Sequence, residues 1–487
     1  MNARRRVMGL ADVTLFTVSA ILVVDQLTAS ASIGAGTIGW WVLAIVFFFV
    51  PYALITAELA TTYPEQGGIY VWTKRAFGRR WAARNTYWYW VNVALWMPSV
   101  FLLFAGLFCQ LFVSHWTDWP AGKWPQIAIA LALTWAVVGV GIMRLEVGKW
   151  VNNLGAILKV AIIFSLGAGG IFFAIRHGSA NSIHFSSVLP SFDVTKAYLP
   201  VIIYLLMGFE LVSSMAGEVK DPEKQIPRAL FTSGASIAFL YIFATVGILL
   251  ALPLGKLELV QGLVETFREI FGRTGVGEVV VYVLGIGALY TYFTNMTTWT
   301  MGANRAAAEA ASEGELPRIL GREHPVHKTP VAALLISGVV STVALVGSAL
   351  FIDTQDNLFF AIFAASSVIF MLPYLLMFPA VVVLRRKDPE RPRPFRVPGG
   401  EVGAIALATV TTVVIAAVTV LFIWPEIPDL PAEWSYTGPL LAIVVAALAV
   451  GEAIVWRMTR PPAPRTVDGT PGPQPGAPHS AAEGQGV

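Results

Sequence analysis

Charge is what this 487-residue chain has least of. Asp, Glu, Lys and Arg together make up 13% of it, about half the share of a soluble domain. Its hydrophobic share is 56% and its mean hydropathy is +0.67. Cysteine is nearly absent: Cys109 stands alone, which excludes an intrachain disulfide, and it lies in an apolar run where it serves as small filler. Phosphate-binding chemistry is missing too. There is no G-x-x-x-x-G-K-[ST] loop, so the chain does not power itself with ATP. The one G-x-G-x-x-G, at Gly34, Gly36 and Gly39, lacks the strand and βαβ unit that would give it meaning. The six histidines, His115, His177, His184, His324, His327 and His479, fall in loops, at span ends or in the tail. None shows helix-spaced metal-ligand patterning, so neither a metal nor a cofactor is implied.

What is there instead is a series of apolar runs of about 20 residues, the length that crosses a bilayer. Twelve spans are expected near 10–36, 39–62, 84–114, 125–143, 150–175, 197–218, 229–253, 279–303, 330–352, 358–384, 402–424 and 437–457. The basic start "MNARRRVMGL" is not followed by a short apolar region with a cleavage site, so the first run reads as a retained span. With the N-terminus inside, the inner segments carry 26 of the 33 Lys and Arg residues and the outer loops six. The remaining one, Lys159, falls within a span. This asymmetry puts both termini in the cytoplasm of a cell-membrane protein. The segment 461–487, rich in Pro, Gly and Ala, has too little apolar bulk to pack and reads as a disordered tail. The fold class is therefore all-α and polytopic, with the bilayer as its surroundings and no nucleic-acid partner.

Three charges lie deep in the spans: Asp25, Lys159 and Glu210. Each costs about 2.5–3.5 kcal/mol to place there, and such groups commonly line a pathway. Asp25 and Glu210 both fall near mid-membrane. Around them lie helix-weakening residues: Gln26, Thr28, Ser30 and Ser32 in the first span, and Gly208, Ser213, Ser214 and Gly217 in the sixth. Two interrupted helices at corresponding places in two halves point to an inverted-repeat transporter with a midplane site. The alternative from the same residues is close helix packing through small side chains. A channel or receptor would call for a continuous polar stripe or rings of like charge, whereas these charges are isolated. No nucleophile–base pair suggests an enzyme.

Three stretches resemble the amino acid–polyamine–organocation superfamily, closest in look to its glutamate/GABA antiporters and polyamine permeases. They are "ITAELATTYPEQGGIYVWTKRAFG" at 55–78, "GFELVSSMAGEVKDPEKQIPRAL" at 208–230 and "NRAAAEAASEGELPRIL" at 304–320. The resemblance covers roughly residues 8–460. It implies the LeuT-type fold: two inverted repeats, near 8–175 and 197–384, two peripheral helices over 402–457, and substrate held between the breaks of helices 1 and 6. It further implies an amino acid or amine permease or antiporter working by alternating access, with polyamine uptake as an alternative. Tyr204 then matches an aromatic that stacks on substrate, with Gly208 beside it. Trp299 matches an aromatic near the chamber, and Glu210 a glutamate beyond the break serving gating or proton coupling. Lys159 matches a lysine standing where other members hold sodium. The departure is at Val23-Val24-Asp25, where many members carry a Gly-Ser-Gly-like triplet. An acid there, followed by Gln26, favours a substrate amine over a substrate carboxylate. Antiport and proton symport are equally compatible with these residues, as are a monomer and a homodimer.

Asp25→Asn removes the charge and keeps the shape. It should weaken amine binding far more than it lowers the melting temperature; unchanged transport across pH would remove Asp25 from the site.

Overall fold

The structure is a computed structural model. It describes residues 9–24, 26–65, 68–113, 122–143, 149–190, 199–211, 219–257, 262–424 and 434–458. The tail proposed at 461–487 lies outside these. Every regular element among the described residues is helical, which satisfies the lipid's demand that backbone N–H and C=O groups be paired without water by pairing them within each segment. Among the described residues, ten helices are long and apolar enough to cross a membrane.

The chain opens with α1 (Leu10–Ile21), a break, and the short α2 (Leu27–Ala31). A turn through Gly34 (φ +83°) leads into α3 (Gly36–Ala44), so the expected first span is two pieces and the second begins at residue 36 rather than 39. Between α3 and α4 (Val50–Thr62), residues Ile45–Phe49 form a widened π-helical turn. Pro51 explains it: proline has no N–H to give the preceding turn, and its ring crowds the carbonyl four residues back. Next come α5 (Ile69–Phe77), α6 (Arg79–Phe108), α7 (Lys123–Ile142), α8 (Lys149–His177) and the single turn α9 (Phe185–Val188).

The sixth expected span is broken as well. α10 (Leu199–Leu205) stops, the chain leaves the helix through Leu206–Gly208, and a tight turn resumes at 209–211. Gly208 has φ +104°, a conformation costly for any residue with a Cβ. After it follow α11 (Pro222–Ala251), α12 (Gly262–Phe271), α13 (Gly275–Ser312), α14 (Val331–Ala349), α15 (Gln355–Lys387), α16 (Gly400–Ile423) and α17 (Trp434–Met458). α8 and α11 touch backbone to backbone, since a Cβ on Gly170 would lie 2.1 Å from the Gly247 carbonyl oxygen. Small residues of this kind let membrane helices approach closely.

At one end of the bundle, α4, α15 and α16 are fastened by one carboxylate. Glu58, 1% exposed, accepts from Arg385 Nε at 2.7 Å and Nη2 at 2.5 Å, and from the Val397 backbone N–H at 2.7 Å. Arg393 Nε lies 3.6 Å away. Beside it, Tyr63 donates to Asp388 at 2.7 Å. Burial and then that carboxylate push the Tyr63 phenol up to about 12, so it stays a donor at neutral pH. α5, at the same end, is tied to the segment after α13: Tyr70 donates to Glu315 at 2.7 Å and Lys74 to Glu313 at 3.1 Å.

Glu58→Gln leaves two poorly exposed guanidiniums without their counter-charge. It should cost about 3–5 kcal/mol, read as a lower melting temperature in detergent; an unchanged midpoint would show that the cluster adds nothing to stability.

Candidate functional site

Both helix breaks end at the same small cavity. It is lined by Ala20, Ile21 and Val23 from the first break and by Tyr204, Leu205 and Met207 from the second. α6 supplies Asn92 and Trp96, α13 Trp299 and α15 Phe370. Its volume is about 20 Å³, room for one water. The walls are largely aromatic. Tyr204 meets Trp96 edge-on at 6.3 Å, Phe363 at 4.9 Å and Phe370 at 5.8 Å. Trp299 meets Trp96 at 5.6 Å and Phe370 at 6.4 Å, both near perpendicular, and stacks on Tyr89 at 6.2 Å. Aromatic rings of this kind offer π-faces, the surface that attracts a cation.

Polar groups on α6 complete the wall. Tyr89, Asn92 and Trp96 follow the i, i+3, i+7 spacing that puts them on one helix face. Asn92 and Trp96 are 2% and 3% exposed. Neither Asn92 Oδ1, Trp96 Nε1 nor the Tyr89 hydroxyl has a hydrogen-bond partner among the described residues. Unpaired buried polar atoms are costly, and at a cavity edge they are suited to a ligand. Among the described residues, the lining holds no charged side chain.

Glu210 sits one layer behind these rings, 3% exposed. The Tyr52 hydroxyl donates to its carboxylate, and the Glu210 backbone N–H donates back to that hydroxyl at 3.3 Å. Tyr52 meets Tyr374 edge-on at 5.8 Å, and Tyr374 meets Phe370 at 5.3 Å. An unbroken aromatic path therefore leads from the acid to the cavity wall. The π-helical turn ahead of Pro51 sets the register that carries Tyr52 inward.

The first break has its own tyrosine. Tyr241 on α11 accepts from the Val23 N–H at 2.9 Å and donates to the Ile21 carbonyl at 3.1 Å. Its ring stacks on Trp41 at 5.3 Å.

Of the residues singled out in the sequence, Tyr204 and Trp299 line the cavity and Gly208 forms the second break beside it. Asp25 lies outside the described residues. Gln26 is fully buried at the head of α2 and Lys159 is 4% exposed, with its Nζ donating to Asn295 Oδ1 at 2.9 Å. Neither is among the cavity lining. Asn92, Trp96 and Tyr52 do not stand out in the sequence, because an uncharged amide or an aromatic in an apolar helix reads as packing. The pattern "NTYWYWVNVALW" at 85–96, an asparagine amid aromatics in an apolar helix, carried the signal. Among the described residues, no three His, Cys, Asp or Glu side chains converge as a metal site.

A cavity of this kind, set where two membrane helices are interrupted, defines a carrier. The profile of the amino acid permease family matches residues 8–448, and the chain belongs to that family, within the amino acid–polyamine–organocation superfamily. It is a multi-pass membrane transporter for amino acids or related amines and not an enzyme. Its relatives include the "Probable agmatine/putrescine antiporter AguD" of Lactococcus lactis, 33% identical over 92% of this chain and 94% of the relative. The polyamine transporter PUT1 of Oryza sativa is 27% identical over 79% and 67% of the two chains. A glutamate/gamma-aminobutyrate antiporter of Lactococcus lactis is 25% identical over 80% and 78%.

Asn92→Leu should hold or raise the melting temperature, since it removes an unpaired buried acceptor, while weakening substrate binding about tenfold. A lower midpoint with unchanged affinity would make Asn92 structural.

Proposed function

We propose that this protein exchanges cationic amines across the cell membrane by alternating access. The observation that carries this reading is the chamber itself: aromatic walls and Asn92, with no basic side chain among the described lining residues. Such a surface suits an ammonium or guanidinium, and it offers a free carboxylate no counter-charge. The 33% identity with a relative named for agmatine and putrescine supports the same class. Asp25, two residues after Val23 in the sequence, would hold the amine, with Gln26 following it. Tyr204 and Trp299 would stack on the substrate, and Gly208 would let the second break turn.

Because the chamber holds a single water, a diamine enters only if the Tyr204–Trp96–Trp299 cluster parts. Its re-closing over the substrate would be the occluding step of a carrier. Glu210, joined to the chamber through Tyr52 and Tyr374, would couple this motion to a proton. Lys159 would bridge α8 and α13 as a fixed cation, which makes sodium unnecessary. In this reading α1–α2 and α10 with its following turn join the ten long helices as two interrupted spans, twelve in all. They form two inverted repeats near 8–175 and 197–384, with α16 and α17 peripheral and both termini cytoplasmic.

Counterflow in proteoliposomes tests this. Preloaded agmatine or putrescine should accelerate uptake of labelled amine, saturably and without sodium, and Glu210→Gln should flatten its pH dependence. Exchange confined to glutamate, γ-aminobutyrate or neutral amino acids, or a flux that never saturates, would overturn it.

A further inference from the structure

The first break leaves backbone groups that a continuous helix would have paired. In an unbroken helix the Val23 N–H would bond four residues back, and the Ile21 carbonyl four residues on. The last regular bond of α1 is Leu22 N–H to the Val18 carbonyl at 2.8 Å, after which Leu22 is extended (φ −65°, ψ 115°). One hydroxyl, that of Tyr241, then takes both a freed donor and a freed acceptor. Tyr241 is fully buried, as is Trp41, whose ring stacks on it, so water is kept from competing for either group. Ile21 and Val23, the two residues it holds, both line the chamber.

We propose that Tyr241 is a positioning residue for transport: its hydroxyl keeps helix 1 open at Ile21–Val23 in the geometry that receives substrate. This rests on the carrier reading above. Tyr52 is its counterpart, for it stands in the second span and holds the backbone and carboxylate of Glu210 beyond the second break. Under the inverted-repeat arrangement the two tyrosines stand on corresponding helices, the second of each repeat. Each reaches across to the broken helix of the other repeat. The exchange ties both breaks to one pair of helices, α4 and α11, so neither half of the site can be shaped independently of the other.

The test is Tyr241→Phe, which keeps the ring on Trp41 and deletes the hydroxyl. Amine KM and Kd should rise about tenfold with kcat within twofold of wild type. Hydrogen exchange in the peptide spanning 20–27 should quicken while other segments stay protected. Tyr87→Phe is the control: it removes a comparable membrane hydroxyl, bonded to the Ala447 carbonyl at 2.9 Å, far along the chain from both breaks, and should leave KM unchanged. Should Tyr241→Phe fail to fold, Trp41→Leu loosens the same ring and should shift KM and local exchange in the same direction. Wild-type KM and wild-type exchange at 20–27 in a folded variant would overturn the proposal. If the wild-type protein moves no amine, the carrier reading fails; the exchange measurement then still decides whether the hydroxyl holds the break.

Discussion

A chain in lipid has no solvent to fall back on for its peptide groups, and every feature of this site follows from that constraint. A helix satisfies it automatically, and an interrupted helix does so only with borrowed partners. Here the partners are tyrosines. Tyr241 serves Ile21 and Val23, and Tyr52 serves Glu210. Tyrosine suits the task because its ring is at home in an apolar interior while its hydroxyl both donates and accepts. The breaks are thus costly features of helices 1 and 6 that α4 and α11 make tolerable.

The rest of the bundle is organised around holding those two helices. The π-helical turn before Pro51 rotates Tyr52 inward. The Gly170–Gly247 contact lets α8 pack directly on α11, the helix that carries Tyr241. At the far end, Glu58 gathers Arg385, Arg393 and the Val397 amide, so that α4 is fixed by a charge cluster at one end and by aromatic packing at its middle. Breaking this cluster costs more than breaking an isolated surface pair, because the Glu58 carboxylate that both guanidiniums share is out of water.

Much of this was legible in the sequence, for identifiable reasons. Apolar runs announce spans because the bilayer sets their length, and nearly all of the long helices fall within a few residues of the expected segments. Gly208 and the polar cluster after Val24 announced the breaks because they are poor helix formers. Tyr204 and Trp299 came from resemblance, and the structure puts both on the chamber wall. Asn92 and Trp96 were hidden because an uncharged amide and an aromatic look like ordinary packing until their unpaired atoms are seen to face a cavity. Tyr52 and Tyr241 were hidden for another reason: each acts on a segment far away in the chain, and no local pattern encodes that pairing.

The size of the chamber has a consequence for the cell. Any carrier with interrupted helices and a buried acid risks becoming a wire along which protons run down the membrane potential. A proton wire needs a file of hydrogen-bonded waters. Among the described residues, Asn92 and the rings of Tyr204, Trp96, Trp299 and Phe370 leave about 20 Å³ between them, space for one molecule rather than a file. Under the proposed reading, the aromatic box that would receive the cargo is, while empty, also the insulation.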